Sequence, residues 1–269
     1  MKKKNYNLII GTVITALMVS LILVGMIYTP YAPNEIDGMN KMAPPSVQHL
    51  LGTDNMGRDI FSRVLAGAGT TLLIAVCVVA IGVAGGLLLG ALTGYFGGWP
   101  DLILMRVSDV LTAFPSFLLA LVVISIAGSG KYKVIWALGI LFIPSFSRMI
   151  RAEYVRCRDQ DYVRSARLMG ASHPRIMTAH ILPNTMPVLL STIAIGFNNA
   201  VLAEASMSYL GLGVQPPDAS LGRMLAESQS YLFGAPWYAI STGVAIVLLI
   251  LGFSLLGDGL SRRRAVYDA

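Results

Sequence analysis

Residues 8–28, 72–92 and 237–256 contain no charged side chain at all. Each run is about 20 residues long, which is what a helix needs to cross a hydrocarbon core of about 30 Å. Composition agrees with these runs. The chain is 55% hydrophobic and only 13% charged, where a soluble domain carries about a quarter charged residues. Lipid is therefore the solvent for most of the chain. Three less regular stretches complete the set. Residues 102–127 carry Arg106 and Asp109 near their start, 134–147 are short and contain Pro144, and 186–203 end in Asn198 and Asn199 just ahead of Glu204. The expected fold is all-α and polytopic: one membrane domain over residues 1–269. Its six helices are expected near 8–28, 70–94, 102–127, 134–151, 186–210 and 237–258. Segments 29–68 and 211–236 lie outside, and 155–184 is a cytoplasmic excursion. The first run is too long for the apolar region of a signal peptide, and no A-x-A-like site follows it.

Basic residues set the orientation, because cytoplasmic loops carry the excess of Lys and Arg. With the N-terminus inside, six helices place 14 basic residues on the cytoplasmic face against 6 outside. The inner set comprises Lys2 to Lys4, Arg106, the arginines from Arg148 to Arg175, and Arg262 to Arg264. Both termini are then cytoplasmic. The net charge of +6 becomes a topology signal, and a nucleic-acid partner is not expected.

Several features are weaker than they look. "GSGK" at 128–131 lacks both the upstream Gly and the following Ser or Thr of a phosphate-binding loop. Cys77 and Cys157 are not placed to form a disulfide. His49, His173 and His180 form no ligand cluster with acids, so no metal and no catalytic constellation is expected. Gly82, Gly86, Gly90 and Gly94 recur every fourth residue, a spacing that gives a helix one smooth face for close packing. Arg106 and Asp109 are three apart and can pair on one face. Intramembrane ionisable groups are functional candidates by default, so Asn198, Asn199 and Glu204 are the candidates for a translocation path. For Glu204 a purely structural role remains equally open.

The polar excursion "RSARLMGASHPRIMTAHILPN" (164–184) carries the most information. Asp159 or Asp161 can cap a short helix with Tyr162, Ala166 and Met169 at i, i+4 and i+7. Gly170 is its expected stop. Ser172 can cap a second short helix, with Pro174 in its first turn, a face of Ile176, Met177, Ala179, His180 and Ile181, and an end at Pro183. Two short helices around a Gly corner make a rigid elbow outside the membrane.

This stretch resembles the coupling motif of membrane subunits of bacterial ABC importers, E-A-A-x3-G-x9-I-x-L-P. It reads Arg164, Ser165, Ala166, then Gly170, then His180, Leu182 and Pro183, with departures at Arg164, Ser165 and His180. "HILPN" is the form of the dipeptide/oligopeptide/nickel branch. "LGTDNMGRDIFSR" (51–63, with Gly52, Asp54, Gly57, Arg58 and Asp59), "RVSDVLTAFPSFLLA", "SRMIRAEYV" and "EASMSYLGLGVQPP" resemble the same branch in the same order. Gly69 stands where that branch commonly has Arg, and the tail after Leu260 lacks its acidic, Pro-containing ending.

The resemblance implies a type I importer permease of the C kind in the bacterial cytoplasmic membrane, paired with a homologous B-type permease. It further implies two ATPase subunits below, which hold the ATP and magnesium, and an extracytoplasmic solute-binding protein outside. The elbow would couple ATPase closure to the membrane helices, and the chain itself would hold no cofactor. A peptide substrate stands first, with nickel or an opine-type metallophore complex as alternatives. A self-sufficient secondary transporter is the alternative class, and a membrane-embedded enzyme lacks a nucleophile–base pair in any span.

Overall fold

Asp59 fixes where the longest helix begins. Its carboxylate accepts the backbone N–H of Ser62 at 2.8 Å, the N-cap bond that satisfies one of the helix's orphan donors. In the computed structural model, which describes residues 6–265 and side chains through Leu260, that helix, α2, runs Ile60–Phe96. It follows α1, Tyr6–Ile27, and stops at Gly97, whose φ of +68° is left-handed. Next come α3, Gly98–Ala113, α4, Ser116–Ala127, and α5, Lys131–Arg158. The elbow is α6, Asp161–Leu168, then the single turn α7, His173–Arg175, and a π-helical segment Ile176–Ile181. It leads into α8, Leu182–Tyr209, then α9, Leu221–Ser228, and α10, Pro236–Ala265. Lys2 to Lys4, the side chains of Arg262 to Arg264 and the end of the tail lie outside the described residues.

Five helical stretches are long and apolar enough to span a bilayer, and α3 with α4 makes a sixth if that pair is one span. The pair is bent by 91°, which corrects the single helix expected over 102–127. Phe114 is extended, at φ −86° and ψ 142°, because the ring of Pro115 bars it from the helical region. Other limits shift outward. The second helix starts at Ile60 rather than near residue 70. The fourth continues past residue 151 as far as Arg158.

The core lies between α2, α5 and α8, with Ile74, Val78, Leu138, Phe146, Ala200 and Val201 all buried. α2 and α5 form the most extensive helix pair, and the glycine repeat is their contact line. A Cβ added at Gly86 would stand 2.5 Å from Phe146 Cβ, and one at Gly94 would stand 2.7 Å from the Arg151 carbonyl oxygen. Such separations leave no room for a methyl group between the backbones. α1 packs on α10 along a second small-residue line, where a Cβ at Gly259 would stand 2.5 Å from Leu8 Cα. Met18, Ile22 and Gly25 of α1 are buried, while its other face, with Ile9, Val13, Leu17 and Leu21, is exposed, as a lipid-facing helix requires. Phe197 of α8 stacks on Phe253 of α10 with centroids 3.8 Å apart.

Candidate functional site: the elbow, the outer knot and the intramembrane cavity

The elbow is built around one backbone angle. Gly170 has φ +82°, and its N–H donates to the Arg167 carbonyl at 3.1 Å while Ala171 N–H donates to Ala166 at 3.0 Å. This 6→1 and 5→2 pair is the Schellman stop. No atom lies within 4 Å of where a Gly170 Cβ would be, so the residue is there for its dihedral and not for space. Gln160 holds the N-cap position of α6, without a side-chain bond, and Asp161 is the first helical residue. Neither Asp159 nor Asp161 caps the helix as expected.

The elbow's faces also differ from the expected ones. Val163 and Ala166 are buried against the bundle, whereas Tyr162 is exposed and Met169 is 81% exposed. Met169 sits at the C-cap and points away with Leu168, which is 89% exposed. A bundle-facing Val–Ala pair and a free Leu–Met tip thus replace the predicted Tyr–Ala–Met face. Arg164 is exposed and reaches back toward Asp161 at 3.8 Å, and Ser165 is exposed beside it. Desolvation by partial burial, with the neighbouring Cys157 thiol, pushes the Tyr162 phenol up to about 12, and a hydrogen bond from Asn184 opposes the rise.

After the corner, the second helix does not end at Pro183. Residues 176–181 open into an i→i+5 ladder, with Leu182 N–H bonded to the Met177 carbonyl, and the chain continues directly into α8. Pro183 is tolerated because it lies in the first turn of α8, where the N–H it lacks has no required acceptor. Ile176 and Ile181, five apart, are both fully buried, a spacing that suits the wide ladder. In "HILPN", Asn184 Nδ2 donates to the His180 carbonyl at 2.8 Å, and His180 Nδ1 lies 3.2 Å from the Arg175 carbonyl. Leu182 is half-buried.

On the opposite side, "LGTDNMGRD" folds into a tight loop with Gly52 and Gly57 at φ +76° and +80°. Asp54, fully buried, accepts the N–H groups of Met56 and Arg58 and the Arg58 Nε at 2.6 Å. Asp59 takes His49 Nδ1 at 3.0 Å besides capping α2. Residues the sequence reading had not singled out complete a knot. Glu227 accepts from Arg58 at 3.3 Å, from Arg223 at 3.0 Å and from the Tyr238 hydroxyl at 3.0 Å, with Arg63 at 3.5 Å. Arg63, 1% exposed, also donates to the Pro33 carbonyl and Asn34. The knot fastens the 29–59 segment, α9 and the start of α10 to the N-terminal end of α2. Charges this buried persist only when paired and hydrogen-bonded.

The path candidates separate. A cavity of about 490 Å³ lies between α4, α5 and α8, lined by Ser116, Phe117, Ser145, Phe146, Asn199 and Ser206 among others. Asn199 faces it. Asn198 Oδ1 is buried without a partner. Glu204 is fully buried elsewhere and accepts the Thr71 hydroxyl at 2.8 Å, the Ser208 hydroxyl at 2.6 Å and the Ser220 hydroxyl. Those hydroxyls in turn hold the loop between α8 and α9, since Leu221 N–H donates to Thr71 and Val214 N–H to Ser208. Asp109 pairs with Arg148 of α5 at 3.1 Å rather than with Arg106, because the bent α3 lies against α5. Among the described residues no group of three or more His, Cys, Asp or Glu could hold a metal ion.

Residues 86–266 match the model of the binding-protein-dependent transport system inner membrane component family. The chain is 34% identical over 258 residues to the dipeptide transport system permease protein DppC of Alkalihalophilus pseudofirmus, covering 96% of this chain and 85% of that one. It is 44% identical over 250 residues to the glutathione transport system permease protein GsiD of Escherichia coli, covering 91% and 82%. With the probable D,D-dipeptide transport system permease protein DdpC of Escherichia coli K12 the identity is 37% over 253 residues, covering 93% and 85%. Among solved structures, a chain of the MetNI methionine ABC transporter in an inward-facing conformation superposes with a TM-score of 0.62 at 20% identity. It covers 74% of this chain and 95% of that one, a likeness of fold alone.

Proposed function

The chain belongs to the binding-protein-dependent transport system inner membrane component family, as a non-catalytic permease subunit of an ABC importer, and from that premise we propose that its elbow is where ATPase closure enters the membrane. The importer's ATPase and binding-protein partners and a multi-pass inner-membrane location come with the family. The finer assembly is a homologous B-type permease beside this chain, two ATPase subunits below, and both termini in the cytoplasm. One observation carries the coupling reading. At a rigid, glycine-set corner the elbow exposes Leu168 and Met169 while Val163, Ala166, Ile176 and Ile181 bind it to the bundle. A free apolar tip on a buried base suits insertion into a cleft of a soluble subunit. Closure of the ATPase pair then displaces the base, and the attached helices change access as rigid bodies.

Relatives named for dipeptide, glutathione and D,D-dipeptide transport support a peptide over nickel or a metallophore complex. The cavity beside Asn199, edged by hydroxyl and amide groups without a charge, suits a wall of the path that passes many neutral backbones. The test of the coupling reading is Gly170→Pro in the assembled importer, with a bulky Ala166→Phe beside it. Proline fixes φ near −65° and removes the N–H that bonds Arg167. Uptake is expected to collapse while the ATPase subunits still co-purify. Undiminished uptake with normal co-purification would sink it, and gradient-driven uptake by this chain alone in liposomes would favour the secondary-transporter reading.

A further inference from the structure

The elbow is not held by its two chain ends alone. Two buried tyrosines reach it from the inner ends of different helices. Tyr95, at the end of α2 and 7% exposed, places its hydroxyl 2.8 Å from His173 Nδ1, and the two rings meet edge to face at 5.5 Å. The Arg167 guanidinium lies over the other reach of the same ring, 6.0 Å from its centroid. Tyr154, near the end of α5 and 2% exposed, donates its hydroxyl to the Met177 carbonyl at 3.1 Å. That carbonyl is also the acceptor of Leu182 N–H in the π segment. Thus both hydroxyls hold the chain after the corner, at 173 and 177, while the Tyr95 ring also meets Arg167 before it, and both tyrosines lead to α2 and α5, the pair locked together along the glycine line.

The direct covalent route into α8 is built differently. Residues 176–181 carry the widened i→i+5 ladder, and Pro187, inside α8, lacks the N–H that would bond the turn before it. Such segments are where helices bend. A displacement of the elbow therefore meets a stiff connection toward α2–α5 and a compliant one toward α8.

We propose that Tyr95 and Tyr154 are positioning residues that deliver the elbow's movement to the α2–α5 pair, with residues 176–187 as the joint that lets α8 bend relative to it. This rests on the coupling reading of the elbow above. The test needs no knowledge of the transported solute. In the assembled importer in liposomes, nitroxide labels at Ser172 and Leu92 report the elbow against α2, and labels at Ser172 and Leu190 report it against α8; all three positions are exposed. Distances are measured without nucleotide and with magnesium-ATP. The first is expected to stay within its resting distribution while the second shifts. Tyr95→Phe and Tyr154→Phe, which remove one oxygen each, should then release a second population of the 172–92 distance. Its share relative to the resting one should rise about fivefold per lost hydroxyl, as expected for one hydrogen bond. His173→Phe, which keeps a ring against Tyr95 and Phe96 but loses the nitrogen, should bring no further release when added to Tyr95→Phe, which a general loss of packing would not reproduce. An ATP-dependent change of the 172–92 distance in the unsubstituted importer overturns the proposal, and so do Phe variants that behave like it. If Gly170→Pro still uncouples transport in that event, only the clamps are wrong; if Gly170→Pro also leaves uptake intact, the coupling reading fails with them.

Discussion

Alanine at Gly90 is the sharpest test of how α2 and α5 are held together. An added Cβ there would lie 2.5 Å from the Ser147 carbonyl oxygen, 3.0 Å from Ile150 Cβ and 3.1 Å from Arg151 N. Non-bonded carbons prefer about 3.5–4.0 Å, and two of these three neighbours are backbone atoms that no rotamer change can move. The helices must therefore separate locally by about 1 Å. Overpacking of this kind costs about 1–3 kcal/mol, and the better helix propensity of alanine returns at most about 1 kcal/mol of it. Gly243 in α10 is the matched control, since nothing lies within 4 Å of its missing Cβ. Gly243→Ala receives the propensity gain with no clash. Denaturation of the purified chain in micelles, followed by tryptophan fluorescence, should separate the two variants by about 1–3 kcal/mol. Gly86→Ala added to Gly90→Ala should cost less than it does alone, because one separation relieves both contacts. Equal stability of the Gly90 and Gly243 variants would show that the glycine repeat is not a close-contact line.

Three further outcomes are expected. Glu227→Ala strips the shared acceptor from buried Arg58 and Arg63 and should cost about 3–5 kcal/mol, whereas Arg223→Ala, a partly exposed partner of the same acid, should cost under about 1 kcal/mol; the same denaturation measurement ranks them. Glu204→Leu leaves the Thr71 and Ser208 hydroxyls buried without their acceptor, about 1–3 kcal/mol for each, and limited proteolysis should then cut the 211–220 loop faster than in the parent; an unaltered cleavage rate would show that the carboxylate does not hold that loop. Pro115→Ala removes the restriction on Phe114 and should narrow the 91° bend between α3 and α4, read as a longer distance between labels at Val107 and Val122; an unchanged distance would assign the bend to packing instead.

The charge-free runs located α1, α10 and the middle of α2, though not its first ten residues, because lipid tolerates few alternatives, and the Gly170 corner was legible because a left-handed residue at a helix end has few substitutes. Proline was the ambiguous letter. Pro115 breaks its helix while Pro144 and Pro187 sit inside theirs, and membrane helices accept prolines wherever neighbouring groups re-satisfy the freed carbonyls. That decision is made by tertiary surroundings and leaves no local signal. Glu227 and Glu204 show the other limit. Their partners Arg58 and Thr71 are 169 and 133 residues away in sequence, so Glu227 carried no local signal and Glu204 stood between a path role and a structural one until the fold brought those groups together. The π segment was missed for a subtler reason: Ile176 and Ile181, five apart, read as members of one ordinary helical face, and Pro183 invited a stop where the helix goes on.

Position 170 has a consequence of its own. Its surroundings are empty and its demand is for a positive φ, so what the corner selects is handedness and not size. A mirror-image residue meets that demand better than glycine does, because it favours positive φ while having fewer unfolded conformations to lose. A semisynthetic chain carrying D-alanine at 170 should hold the elbow at least as firmly as the natural one, while L-alanine at the same atom count should loosen it; if both enantiomers loosened it alike in amide exchange at Gly170 and Ala171, the corner would be reading volume after all. The elbow proposed to meet the ATPase would then rest on the chirality of a single α-carbon.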